Sequence, residues 1–215
     1  MKNTVIFDLD GTLLNTLEDL TDAVNFSMAE NGFPTHSTED VRSFVGNGIK
    51  KLIERSVPKN CSEEMLQKCF ENFCTFYEKH MNDKTKPYSG IIQMLRELKK
   101  SGFKTAIVTN KADFAAQALC KGIFGDLITV TVGASENTRH KPYPDTTLKA
   151  LRKLGAKAEN AYFVGDSDVD VQTAANSGID FIGVLWGFRS KAVLESAGAT
   201  SFAENAQELT RTLLN

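Results

Sequence analysis

The alternation of apolar and polar positions divides the chain into a first strand, a helical block and a series of strand–helix pairs. The apolar run Val5-Ile6-Phe7 predicts a buried strand close to the N-terminus. Between residues 17 and 79 the apolar positions recur at helical spacing, and Ser37 and Ser62 are typical residues for capping the start of a helix. From Pro87 onward, helical segments alternate with short apolar strands.

This later alternation predicts an α/β fold, a doubly wound parallel sheet with helices on both faces. The predicted strands are Thr105–Thr109, Ile128–Val132, Ala161–Val164, Phe181–Val184 and a short one near Ser201–Phe202. The predicted helices are Ile91–Lys100, then segments starting near Asp113, Asp145 and Val169, and a last one ending at Leu214. Adding the first strand to the sheet makes the helical block an insertion over the strand ends. We therefore expect a core domain of residues 1–15 and 83–215 and a small all-helical cap domain of residues 16–82.

Composition and charge narrow the class of protein. The net charge of −2 gives no support for binding to nucleic acid or to a membrane surface. No stretch approaches the roughly 20 apolar residues of a membrane helix, and the early strand leaves no room for a signal peptide. The four cysteines form no CxxC pair, which favours reduced thiols and a cytoplasmic protein.

The first candidate for chemistry is the pair Asp8 and Asp10, which follows the first strand directly. Residues i and i+2 of a strand share a face, so both carboxylates can point out of the carboxyl end of the sheet, where open α/β folds bind ligands. Gly11 allows a sharp turn there. Adjacent like charges favour a cation or a shared proton, and Mg²⁺ suits oxygen ligands and phosphate. The alternative is an ordinary turn built from Asp and Gly.

Two further motifs follow predicted strands and carry phosphate-binding groups. Thr109 offers a hydroxyl, and Asn110 is expected to offer a backbone N–H at the start of a helix. Lys141 lies in a loop made rigid by Pro142 and Pro144, where its ammonium could neutralise a phosphate and a neighbouring carboxylate. The alternatives are a plain helix cap and a solvated lysine.

A second acidic strand end completes the pattern, because Asp166 follows a strand and Asp170 lies one helical turn later. For Asp168 between them, the alternative to a role in the site is a plain helix cap. We expect a metal site with Asp8 and Asp166 as carboxylate ligands, the backbone carbonyl of Asp10, and water.

These four motifs, over essentially the whole chain, resemble the haloacid-dehalogenase superfamily. They are Asp8–Thr12, Thr109 after an apolar strand, Lys141-Pro142, and Gly165–Asp170. Three less specific segments resemble the phosphoglycolate-phosphatase-like branch, namely Val108–Lys111, Phe44–Gly48 and Trp186–Arg189. Asn15 departs from the pattern, since many relatives carry an acidic residue there.

The resemblance implies a Mg²⁺-dependent phosphatase that acts on a small phosphorylated metabolite through a phosphoaspartate. Asp8 would be the nucleophile and Asp10 the general acid and base, with Thr109, Asn110 and Lys141 on the phosphate oxygens. Asp166 would hold the metal, and Asp170 would support it directly, through water or through Lys141.

Other activities on the same scaffold remain open. A sugar phosphomutase keeps both aspartates, a pyrophosphatase is a further alternative, and a non-catalytic binding protein would be expected to lack one of the motif residues. A dehalogenase needs no acid at position 10. Selectivity is expected to come from the cap, where Arg42, Gly46 and Asn47 are the candidate substrate contacts; a helix–turn–helix link without substrate contact is the alternative for that segment.

Overall fold

The computed structural model describes residues 2–135 and 138–215. The chain forms two compact units, Met1–Leu14 with Pro87–Asn215, and Asn15–Lys86. The unit boundaries therefore fall after residues 14 and 86, where the sequence placed them after residues 15 and 82.

The strands and helices follow the predicted order. The strands are β1 (Thr4–Phe7), β2 (Leu14–Asn15), β3 (Lys86–Pro87), β4 (Lys104–Ala112), β5 (Val130–Ala134), β6 (Ala161–Gly165), β7 (Asp180–Val184) and β8 (Phe202–Ala203). The α-helices are α1 (Leu17–Glu30), α2 (Thr38–Phe44), α3 (Gly48–Ser56), α4 (Glu63–His80), α5 (Ile91–Lys100), α6 (Asp113–Phe124), α7 (Asp145–Leu154), α8 (Asp168–Ser177), α9 (Lys191–Ser196) and α10 (Ala206–Leu214). Within the described ranges, none of these helices has the length and apolar character needed to cross a bilayer.

Six strands form one parallel sheet in the order β5-β4-β1-β6-β7-β8. Side chains of β1 alternate between its faces: Val5 and Phe7 belong to the core with α5, α6 and α10, and Ile6 to the core with α7 and α8. Helices therefore cover both faces, and the predicted α/β class is confirmed.

The carboxyl end of β4 differs from the prediction. β4 continues to Ala112 and α6 begins only at Asp113, so Asn110 lies in the strand and not at the start of a helix. The backbone N–H of Lys111 donates to the Thr109 hydroxyl at 3.2 Å, and the register with β5 shifts between Val108 and Ala112. The strand thus ends in an irregular extension, which apolar periodicity does not reveal.

Other differences come from short elements. A 3₁₀ turn at Gly125–Leu127 lengthens the connection to β5, which starts at Val130 and not at Ile128. The helix α9 and the paired strands β2 and β3 were not predicted, because six or fewer residues carry too little periodicity.

The helical unit is built on α1 and α4, which pack against each other. The predicted caps are present: the Ser37 hydroxyl accepts from the Asp40 N–H, and the Ser62 hydroxyl from the Met65 N–H. The Ser27 hydroxyl donates to the Cys69 carbonyl at 2.7 Å and ties α1 to α4. All four cysteines of the chain are unpaired thiols.

Candidate active site

The register of the central strands brings the acidic strand ends together. Phe7 pairs with Val164 of β6, and the next N–H, that of Asp8, donates to the Val164 carbonyl at 2.9 Å. Asp8 and Asp166 therefore leave neighbouring strands at the same edge of the sheet. Because side chains alternate, Asp8 is on the Ile6 face of β1, toward α7 and α8.

Lys141 connects two of the carboxylates. Its Nζ lies 2.6 Å from Oδ1 of Asp8 and 2.7 Å from Oδ1 of Asp170, and its side chain is 3% exposed. The Asn110 side chain fixes the Lys141 backbone, accepting from its N–H at 2.8 Å and donating to its carbonyl at 3.1 Å. Burial alone would lower the pKa of Lys141, but Asp170 and Asp8 outweigh it and raise the pKa above its usual value. The solvated-lysine alternative is therefore wrong.

Asp166 is held by groups from two loops. Its Oδ1 accepts from the Thr12 hydroxyl at 2.9 Å, and its Oδ2 accepts from the Phe188 N–H at 2.7 Å. Two glycines let these loops approach. A Cβ at Gly187 would lie 2.3 Å from the Asp166 Cβ, and one at Gly11, where φ is +90°, would lie 2.4 Å from Asp166 Oδ2. No other residue fits at either position without displacing the carboxylate.

Asp170 both caps α8 and contacts the lysine. Its Oδ2 accepts from the Ser167 hydroxyl at 2.6 Å and from the Ser167 N–H at 3.1 Å, while Oδ1 accepts from Lys141. The N-cap of α8 is therefore Ser167, and the alternative that Asp168 caps this helix is wrong. Gly165 is required beside Asp170, because a Cβ there would lie 2.4 Å from the Asp170 Cβ.

Three buried carboxylates form the acidic centre of the site. Oxygen atoms of Asp8, Asp166 and Asp170 lie within 4.8 Å of one another. Burial and the charge of Asp170 raise the pKa of Asp166 to about 7. Burial also raises the pKa of Asp8, although Lys141 acts in the opposite direction. When all three acids are ionised, one lysine leaves an excess of negative charge, and their hard oxygen atoms fit a divalent cation such as Mg²⁺.

Asp10 contacts a different lysine from the one that contacts this cluster. Its Oδ1 and Oδ2 are 3.2 Å and 3.4 Å from the Nζ of Lys111, whose side chain is 3% exposed. The Asp10 side chain is 17% exposed. The two aspartates of the first motif therefore meet two different lysines.

The whole arrangement matches a known family. The family model described as haloacid dehalogenase-like hydrolase matches residues 5–184 of this chain. The chain belongs to this family. Its membership confirms the superfamily that the four motifs predicted.

Individual relatives are phosphoglycolate phosphatases. The chain is 34% identical over 195 residues to the phosphoglycolate phosphatase of Pseudomonas syringae pv. tomato, covering 87% of this chain and 71% of that one. It is 32% identical over 216 residues to the phosphoglycolate phosphatase of Thiobacillus denitrificans, covering 96% and 95%. A solved structure from Lactobacillus delbrueckii subsp. bulgaricus, provisionally named a phosphoglycolate phosphatase, superposes with a TM-score of 0.95 at 32% identity over all of both chains. The expected class, a phosphatase of this type acting on phosphoric monoesters, is confirmed.

The structure adds residues that sequence reasoning did not assign to the site. These are Thr12, Lys111, Ser167 and the backbone N–H of Phe188. The sequence contained a local indication that Lys111 belongs to the site. Lys111 lies two residues after Thr109 on an extended segment, so the two side chains share a face. The contact between the Phe188 N–H and Asp166 depends on the path of the loop after β7, which local sequence patterns do not predict.

The candidate substrate residues of the helical unit have local roles there. Arg42 lies in the last turn of α2, with its Nε 3.1 Å from Glu39 Oε2. Gly46 has a φ of +120°, and Asn47 precedes α3 with its Oδ1 accepting from Arg55 at 2.8 Å. These contacts lie within the helical unit, and the substrate role of the three residues stays a prediction.

Proposed function

We propose that this phosphatase is Mg²⁺-dependent and hydrolyses a small phosphomonoester through a phosphoaspartate on Asp8. The observation that carries this proposal is a buried set of charged residues at the carboxyl edge of the sheet: Asp8, Asp166, Asp170 and Lys141. Asp10 follows the same strand as Asp8 and forms an ion pair with Lys111.

In the first step a carboxylate oxygen of Asp8 attacks phosphorus, and the bond from phosphorus to the ester oxygen breaks. Asp10 donates a proton to the leaving oxygen, so that an alcohol departs. In the second step Asp10 takes a proton from water, whose oxygen attacks the same phosphorus. The bond from phosphorus to Asp8 then breaks, which releases inorganic phosphate and regenerates the carboxylate.

The remaining residues bind charge. Lys141, the Thr109 hydroxyl and the Asn110 N–H bind the phosphoryl oxygens, and the Asn110 side chain positions the Lys141 backbone. Asp8, Asp166 and the backbone carbonyl of Asp10 would hold Mg²⁺, with Asp170 supporting it through Lys141. A bound Mg²⁺ would offset the repulsion between the Asp8 carboxylate and the phosphate.

The named relatives point to the substrate class. Because several are phosphoglycolate phosphatases over most of the chain length, we propose 2-phosphoglycolate, or a monoester of similar size, as the substrate.

A panel of phosphate esters tests the proposal. We expect phosphate release with Mg²⁺, none with a chelator, and recovery when Mg²⁺ is restored. With sugar phosphates, the products should be phosphate and free sugar. An isomerised sugar phosphate as the main product would instead identify a mutase, and no turnover of any ester would refute the proposed function.

A further inference from the structure

Lys111 lies beside Asp10, which the proposed mechanism assigns to the leaving oxygen of the substrate. Its ammonium contacts Asp10, the residue assigned to protonate the leaving oxygen, whereas Lys141 contacts Asp8 and Asp170. In the proposed mechanism Lys141 therefore belongs to the phosphoryl side of the site, and Lys111 to the side of the departing alcohol.

The contact between Lys111 and Asp10 is long for a charge-assisted hydrogen bond. Its two distances are 3.2 Å and 3.4 Å, whereas the contacts of Lys141 are 2.6 Å and 2.7 Å. Pairs of ammonium and carboxylate usually approach to about 2.7–2.9 Å. The ammonium of Lys111 is therefore held less closely by Asp10 than the ammonium of Lys141 is by Asp8 and Asp170.

The backbone holds Lys111 at this place. The Thr109 hydroxyl accepts the Lys111 N–H, and the extended end of β4 directs the side chain inward, where it is 3% exposed. A lysine fixed in this way selects by charge with little loss of side-chain entropy, because its rotamer is set before the substrate binds.

We propose that Lys111 is a specificity-determining residue that binds a carboxylate on the carbon next to the ester oxygen. The inference rests on the proposed function, since Asp10 marks the leaving oxygen only in that mechanism. The substrate class is then phosphate esters of small 2-hydroxy carboxylic acids. Neutral alcohols of the same size lack the group that Lys111 binds.

The test compares two esters that differ only in this group, 2-phosphoglycolate and 2-hydroxyethyl phosphate. We expect wild-type kcat/KM to favour 2-phosphoglycolate, and Lys111→Met to reduce the ratio of the two values roughly 10- to 100-fold, the worth of one hydrogen bond to a charged group. Lys111→Arg should keep most of the preference. Lys153→Met, which removes an exposed lysine of α7, should leave the ratio unchanged.

A binding measurement separates recognition from chemistry. In an Asp8→Asn background, calorimetric titration should show tighter binding of 2-phosphoglycolate than of 2-hydroxyethyl phosphate, and Lys111→Met should remove the difference. Thermal melting verifies that the variants are folded. Equal losses for both esters in Lys111→Met would show that Lys111 only positions Asp10 and would overturn the inference, while an inactive wild type would refute the proposed function itself.

Discussion

Asp8 and Asp10 are the same residue type one residue apart, yet the fold gives them different surroundings. Asp8 is buried beside Lys141 and two further carboxylates, and Asp10 is partly exposed beside Lys111. The same pair can therefore supply a nucleophile and a proton carrier, because environment and not residue type separates the two roles.

Asp8→Asn tests the proposed role of Asp8 as the nucleophile. We expect the variant to fold and to lose turnover, because a neutral amide does not attack phosphorus as a carboxylate does. Phosphate release and thermal melting are the measurements, with Asp180→Asn as a control at an exposed carboxylate. Substantial turnover by the pure Asp8→Asn protein would assign the nucleophile elsewhere.

Asp10→Asn tests the proposed role of Asp10 as the general acid and base. We expect turnover to fall roughly 10²–10⁴-fold for an alkyl phosphate, the usual contribution of a general acid or base. The deficit should be smaller for 4-nitrophenyl phosphate, whose leaving group departs without a proton. An equal deficit for both esters would argue against Asp10 as the acid.

At the scale of elements, the site depends on close approach between loops and strand ends. The loop after β7 passes Asp166 at Gly187, and the Gly165 backbone at the end of β6 lies against Asp170. Backbone as well as hydrogen bonds thus positions each carboxylate, so a small change in a loop would move a proposed metal ligand.

Gly187→Ala tests this dependence. Because the new Cβ would lie 2.3 Å from the Asp166 Cβ, we expect Asp166 to shift and the Mg²⁺ concentration for half-maximal activity to rise at least several-fold. Gly122→Ala on α6 is the matched control, since a Cβ there meets nothing within 4 Å. An unchanged Mg²⁺ requirement in Gly187→Ala would show that the loop does not set the position of Asp166.

The start of α1 is tied to the returning chain by a buried carboxylate. Asp19 accepts from the Lys84 N–H at 3.0 Å, the Thr85 N–H at 2.9 Å and the Thr85 hydroxyl at 2.7 Å. Asp19 is 2% exposed, so these donors would lose their partner if it were removed.

We therefore expect Asp19→Ala to lower the free energy of unfolding by about 2 kcal/mol, within the range for unsatisfied buried groups. Urea unfolding followed by circular dichroism measures the loss. Asp22→Ala, which removes only an exposed salt bridge with Lys84, should cost much less. Equal stability of the two variants would mean that the Asp19 contacts contribute little.

At the scale of the whole molecule, the sheet order decides which residues meet. β1 lies between β4 and β6, so the residues after these three strands share one edge. Lys141 reaches Asp8 across 133 residues of sequence. The site therefore concentrates negative charge from distant segments in one buried place, and that charge opposes folding unless a cation offsets it.

Metal removal tests this coupling. We expect Mg²⁺ to raise the melting temperature of the chelator-treated protein. At a Mg²⁺ concentration 100-fold above its Kd, the free energy of unfolding should rise by about 2.7 kcal/mol. Asp166→Asn should raise the melting temperature without metal, because a buried charge is lost, and should reduce the response to Mg²⁺. A wild-type melting temperature insensitive to millimolar Mg²⁺ would contradict the metal site.

The sequence by itself determined the fold class, the order of the main elements and the identity of the acidic motifs. Periodicity is a local property, so α5 (Ile91–Lys100) matches its prediction to the residue and α7 starts at Asp145, where its start was predicted. Motifs at strand ends were likewise visible, because a strand, a carboxylate and a glycine lie within a few residues of one another.

Only the tertiary structure decided how these residues pair. That Lys111 meets Asp10, that Thr12 and the Phe188 N–H hold Asp166, and that Asn110 supports Lys141 from within β4 depend on strand register and loop paths. The partners in these contacts are 22 to 154 residues apart. Such pairings follow from the packing of the whole core, because the energy that selects them is spread over many contacts and leaves no local pattern in the chain.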